Sequence, residues 1–258
     1  MKYDNQFFLY SAISDLGVER ATNEDFVQIA ELDDDSLIAI IADGSGSYGN
    51  NLQPASIVCV DILDTLQEEF EMDRDLFFSN IEFFLKQAFS SANKLLGAFK
   101  MGNEELYAGY ATSATCVVCD KSSGIALAHT GNTRAYLIRG GNLIQLTRDY
   151  TRAQDLLEEG EISQEDYYAR PELAQMTSGI GIVAEPTIDV FSGKFKENDI
   201  ILMTSDGVHN AIRSDVIPTL VLESENADNA CQVLIEGAKS VKYVDNMSAI
   251  IITPGITG

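Results

Sequence analysis

The chain has 258 residues, 45% apolar and 22% charged, a composition that builds one large globular domain and excludes disorder as its main character. Seventeen Lys and Arg stand against forty Asp and Glu, a formal charge of −23, which argues against nucleic-acid backbones and anionic membranes as partners and favours divalent cations or basic protein segments. No apolar run approaches the ~20 residues that span a bilayer, and the start MKYDNQFFLY lacks a signal-peptide pattern, so a soluble, cytoplasmic protein is expected.

Along the chain, residues 7–14, 26–31 and 37–42 are strand-like. The acidic turn Asp33-Asp34-Asp35 between the last two predicts a hairpin with a solvated tip. Apolar residues at three and four spacing predict helices over 53–70 and 76–100. Strands return at 112–119, 125–130 and 134–139, and the Gly140-Gly141 turn leads into a further strand at 143–146. Residues 149–175 are acidic and helical in character, an excursion from the sheet. A strand at 200–204, helices near 214–222 and 227–239, and a closing strand at 247–253 complete the pattern. There is no repeat, low-complexity tract or Pro/Ser-rich linker, so a single domain over 1–258 is expected. Strands with tight hairpins on either side of two helices imply an α+β fold of largely antiparallel sheets covered by helices.

Four cysteines, Cys59, Cys116, Cys119 and Cys231, are too few for a disulfide framework and fit a reducing compartment. Cys116 and Cys119 form a C-x-x-C, but within TSATCVVCD they lie on a strand, where residues three apart face opposite ways. Packing is expected there, not zinc or redox chemistry.

Three acids fall at strand boundaries. The apolar run 37–42 ends in Asp43-Gly44, the run 200–205 ends in Asp206-Gly207, and Asp245-Asn246 precedes the last strand. Each Asp-Gly alone reads as a turn. Together, strand ends and a strand start can converge on one rim, where clustered carboxylates repel one another unless a cation neutralises them. Hard divalent ions such as Mg²⁺ or Mn²⁺ suit such a sparse set of oxygens. The segment 14–25, SDLGVERATNED, adds Arg20, Glu24 and Asp25 just before a strand. An Arg beside a metal cluster is what phosphate chemistry requires, because its planar fork matches phosphate oxygens.

These stretches, S-D-x-G-x-x-R-x-x-N-E-D, A-D-G, H-T-G-N-T-R-A-Y-L-I-R-G-G, T-S-D-G-V and V-D-N-M-S, occur in an order that resembles the metal-dependent type 2C protein Ser/Thr phosphatases, bacterial branch. The resemblance runs from about Ser11 to Thr253, and 149–176 looks like the flap of that branch. It implies a helix–sheet–sheet–helix sandwich with a centre of two Mn²⁺ or Mg²⁺ ions. By the same resemblance Asp43 bridges the ions, the Gly44 carbonyl binds one, and Asp206 and Asp245 hold the other. Glu24 and Asp25 then act through metal-bound waters, and Arg20 grips the substrate phosphate. Catalysis, by implication at Asp43, Asp206 and Arg20, is attack on phosphorus by a metal-bridging water. The implied substrates are phosphoproteins of a Ser/Thr kinase, and the expected state is a monomer.

The pattern departs from the family at three places. The His that usually follows the D-G is replaced, with Ser45 and Tyr48 at the two candidate positions. Loss of a general acid costs on the order of 10²–10⁴ in rate. The Asp of the family's G-D-S-R is Asn132, and the Asp four residues after the S-D-G aspartate is Asn210, which implies an absent or weakened third metal site. His129, in an apolar strand, is expected as a satisfied core or rim residue. His209 is expected at the surface of a helix start, with replacement of the missing acid as its alternative role. The rival reading of the whole chain is a pseudophosphatase that binds a phosphoprotein or partner without efficient catalysis.

Overall fold

The run Leu37-Ile38-Ala39-Ile40-Ile41-Ala42 contains no polar residue because both faces of its strand are covered. Leu37, Ala39 and Ile41 pack into a core shared with a second sheet, while Ile38, Ile40 and Ala42 pack against helices. The computed structural model describes residues 7–46, 53–101, 107–241 and 243–255, apart from the side chains of Tyr168 and Pro171.

One sheet runs in the order β2 (Asp25–Asp33), β3 (Ser36–Ser45), β4 (Ala111–Asp120), β5 (Gly124–Thr130) and β8 (Asp189–Gly193). The other runs β1 (Phe8–Asp15), β10 (Met247–Pro254), β9 (Ile200–Thr204), β6 (Arg134–Arg139) and β7 (Asn142–Gln145). All these neighbours pair antiparallel. Helices α1 (Pro54–Met72), α2 (Arg74–Ser79) and α3 (Ile81–Lys100) cover the first sheet. The short α6 (Asp206–His209), α7 (Ile217–Leu222) and α8 (Ala227–Ser240) cover the second. The architecture is therefore the expected helix–sheet–sheet–helix sandwich, with the inter-sheet core built from residues such as Phe8, Leu127, Leu137, Met203 and Ile250.

Cys116 packs on the helix side of β4 and Cys119 in the inter-sheet core, and all four cysteines are free and buried. The predicted helix over 76–100 is in fact two. Asn80 leaves helical geometry, and its Nδ2 donates to the Leu76 carbonyl and to Ser79 Oγ, offering the backbone a partner outside the helix. The predicted helix from 214 begins only at Ile217. Strand β8, which the sequence reading left unassigned, is a half-exposed edge of five residues without clear alternation.

The excursion after β7 contains α4 (Arg152–Glu158) and α5 (Gln164–Ala169). It is tied to β6 by a buried cluster. Arg134 donates from Nε and Nη2 to both oxygens of Asp149, and Tyr167 from α5 donates to Asp149 Oδ2 at 2.8 Å while accepting from Arg134 Nη2 at 3.0 Å. Among the described residues no helix is long and apolar enough to cross a membrane.

Candidate metal centre

Asp25 opens β2 and Asp43 stands near the end of β3, directly opposite it in register. In the other sheet β9 ends at Thr204 and delivers Asp206 at the start of α6, while Asp245 lies just before β10, the neighbour of β9. The two rims meet: the Asp43 and Asp206 carboxyls, from different sheets, lie close enough to act on one another directly. All three acids picked out at strand boundaries thus fall at one end of the sandwich.

The loop from β1 to β2 carries Arg20 and Glu24 to the same end. Asn246 holds it: its Oδ1 accepts from the Glu24 backbone N–H, and its Nδ2 donates to the carbonyls of Leu16 and Thr22. Arg20 Nη2 lies 2.8 Å from Asp245 Oδ1. Two glycines make the approach possible. Gly17 has φ +78°, and a Cβ there would sit 1.9 Å from the Asp245 carbonyl oxygen. A Cβ on Gly207 would sit 1.9 Å from the Asn246 carbonyl oxygen. Gly44 follows Asp43, and its N–H donates to the Glu24 carbonyl at 3.1 Å.

Electrostatics at this rim are strained in one direction. Burial, then the charge of Asp206, holds the Asp43 carboxyl well above the usual carboxylate range. Burial, then the charge of Asp245, pushes Asp206 up to about 7. Burial also raises Asp25 to about 6, although Ser205 and Ser248 hydroxyls donate to it. Burial works against the Arg20 charge, but Asp245, then Asp206 and Asp43, raise its guanidinium above the ordinary value. Carboxyls that retain protons near neutrality for lack of countercharge form a set a cation would relieve. Among the described residues no three His, Cys, Asp or Glu groups close around a point by themselves. That sparse, all-oxygen donor set fits hard divalent ions that keep several waters and use one or two carboxylates each.

Of the altered positions, Asn132 Nδ2 donates to Asp206 Oδ2 at 3.1 Å, and Asn210 Nδ2 donates to the Tyr243 hydroxyl at 3.3 Å. Both neutral amides therefore sit at the rim. Ser45 ends β3, and Tyr48 lies outside the described residues. His129 is buried and satisfied as expected: Nε2 donates to the Arg148 carbonyl, leaving Nδ1 to accept from Thr115 Oγ1. His209 is not a surface residue. It is 3% exposed because α6 turns inward under α8, its Nδ1 pairs with Thr204 Oγ1 at 2.9 Å, and burial, then Arg134, holds its pKa well below the ordinary value.

Sequence reasoning missed the residues that fasten the two sheets together here. Ser248 Oγ donates to Asp25 Oδ2 and accepts from Ser14 Oγ, and Ser205 Oγ accepts from the Ser248 backbone N–H. The signal was present: Ser205, Asn246 and Ser248 are polar residues at the ends of otherwise apolar strands.

Comparison with known proteins agrees with this geometry. The family described as "Protein phosphatase 2C" matches residues 18–234. The chain is 28% identical over 240 residues to "Serine/threonine phosphatase stp" of Listeria welshimeri, covering 93% of each chain. Its fold is similar to the Mycobacterium tuberculosis serine/threonine phosphatase PstP/Ppp, at 26% identity and TM-score 0.81, over 96% of this chain and 98% of that one. It is also similar to the catalytic domain of PstP in complex with two manganese ions, at 26% identity and TM-score 0.79, with the same coverage.

Proposed function

The chain belongs to the protein phosphatase 2C family, and from that premise we propose that it removes phosphate from phosphoserine and phosphothreonine in proteins, using two Mn²⁺ or Mg²⁺ ions. The observation that carries the reading is the meeting of Asp43 and Asp206 from two sheets, with Arg20 at the same rim. When bound, the ions neutralise phosphate oxygens and lower the pKa of the water that attacks phosphorus. Asp43, Asp206, Asp245 and the Gly44 carbonyl are the residues assigned to hold them, with Asp25 and Glu24 acting through water. Asp25 suits that role because its carboxylate is already bound by Ser205 and Ser248.

Arg20 exchanges Asp245 for the substrate phosphate, presenting two parallel N–H groups to its oxygens. Asn132 donates to Asp206 and fixes that carboxylate's orientation, and as a neutral amide it offers a third ion little. A third metal site is accordingly absent or weak. Protonation of the departing alkoxide falls to solvent at the centre, because burial, then Arg134, keeps the His209 imidazole from holding the proton it would have to give.

This reading takes 1–258 as a single phosphatase domain with 149–176 as its flap, acting as a cytoplasmic monomer on the products of a Ser/Thr kinase. The test is hydrolysis of a phosphothreonine peptide beside an aryl phosphate. Turnover of both with Mn²⁺ supports it. Turnover of the aryl ester alone places the defect in leaving-group protonation, and turnover of neither points to a phosphoprotein-binding role.

A further inference from the structure

Tyr243 stands two residues before Asp245, and its ring packs against the core between the second sheet and its helices. With Asp206, Asn132 and Asn210 it lines a cavity of about 280 Å³ between the carboxylate centre and the 149–176 excursion. Burial first, then the charges of Asp206, Asp245 and Asp43, raise the pKa of its phenol, which puts the hydroxyl within electrostatic reach of all three acids. None of the metal and phosphate assignments above uses it.

The bonding of this hydroxyl is half complete. Asn210 Nδ2 donates to Tyr243 Oη at 3.3 Å, so the oxygen accepts and its own proton is left to give. Among the described residues nothing takes that proton. The neighbouring acids are engaged elsewhere. Asp206 Oδ2 accepts from Asn132, and Asp245 Oδ1 faces Arg20 and the Asn246 backbone N–H. The amide at 210 decides the direction of the bond. An aspartate there would accept the phenol proton, whereas Asn210 donates and leaves it free for a ligand.

We propose that Tyr243 is a phosphate-binding residue, its O–H donating to a non-bridging oxygen of the bound phosphate alongside Arg20, with Asn210 as its positioning residue. The proposal rests on the phosphatase reading and adds to it a second side chain that holds the phosphate. A hydrogen bond from a phenol to a charged phosphate oxygen is short and about twice as strong as one between neutral groups.

The experiment measures the dissociation constant of inorganic phosphate by calorimetry on Mn²⁺-loaded protein. Mn²⁺ affinity and turnover of a phosphothreonine peptide are read on the same samples. Tyr243→Phe keeps the ring and removes only the hydroxyl. It is expected to weaken phosphate binding about tenfold or more, with Mn²⁺ affinity held within about twofold. Asn210→Ala is expected to weaken phosphate binding about threefold, and to cost nothing further in Tyr243→Phe, because it acts through the phenol. An unchanged phosphate constant in Tyr243→Phe overturns the proposal, as does a loaded wild type that binds no phosphate. A loss of Mn²⁺ affinity in step with phosphate also overturns it, since Tyr243 is then only a support for Asp245. An Asn210→Ala effect that persists in full in Tyr243→Phe overturns the positioning role. Absence of turnover alongside the expected phosphate shift counts against the phosphatase reading alone.

Discussion

Asp25 and Asp43 stand opposite one another in the β2–β3 register, so a single hairpin presents two carboxylates to the rim where the second sheet delivers Asp206. Main-chain pairing holds these two carboxyls side by side, and burial first, then the charges of Asp206 and Asp245 from the other sheet, raises the proton affinities at the centre.

Stability of the metal-free protein should therefore depend on pH in an unusual direction. The folded pKa of Asp206, about 7, lies above its unfolded value near 3.9. Its protonated form contributes stability that is complete below the unfolded pKa and lost as pH rises through about 7. Asp206→Asn removes that loss. In chelator the variant's melting temperature should rise relative to wild type between pH 5 and pH 8, by roughly 2–4 °C for each kcal/mol relieved. An identical difference at both pH values contradicts the raised pKa.

Metal binding should release protons. Ions displace protons from Asp43 and Asp206, so apparent Mn²⁺ affinity is expected to weaken as pH falls below about 7. Calorimetric titration in two buffers of different ionisation enthalpy reads the proton count directly. A buffer-independent heat at pH 6.5 contradicts the prediction.

Arg20 should matter for substrate and little for folding. Its side chain is 45% exposed, and exposed ion pairs contribute ~0–1 kcal/mol. Arg20→Ala is expected to leave the melting temperature within about 3 °C. The KM for a phosphothreonine peptide should rise about tenfold or more, as expected for a lost charge-assisted phosphate contact. An unchanged KM removes Arg20 from the phosphate site.

Gly17→Ala should couple the loop to the centre. The new Cβ meets the Asp245 carbonyl at 1.9 Å on a backbone already at φ +78°. Destabilisation of about 1–3 kcal/mol is expected from the backbone strain. Mn²⁺ binding should weaken as well, because the displaced backbone carries Asp245. Denaturant unfolding and metal titration on the same sample check both.

Much of this was legible in the sequence for identifiable reasons. The apolar runs ending in Asp43 and Asp206 marked buried strands; antiparallel pairing set Asp25 beside Asp43 and the start of β10 beside the end of β9, and the packing of the two sheets brought both rims together. The break at Asn80 and the edge strand β8 were not legible, since one depends on a side chain competing with the helix and the other on a short polar stretch being recruited by β5. Nor was the burial of His209, which follows from how α6 packs and not from any local pattern. At the centre, the acids could be read, and Ser205, Ser248 and Asn246 showed only as polar residues at strand ends, because the partners that define their roles lie up to 230 positions away.

The measurement that bears most directly on the central claim is phosphate release from a phosphothreonine peptide with Mn²⁺, with chelator, and in Asp206→Asn, each on protein shown to be folded. The account predicts turnover with Mn²⁺, none in chelator, and a loss of at least about 10²-fold in the variant, as expected when an ion that stabilises the transition state is displaced. Turnover that survives chelator or the variant, or its absence in folded protein that binds Mn²⁺, contradicts it.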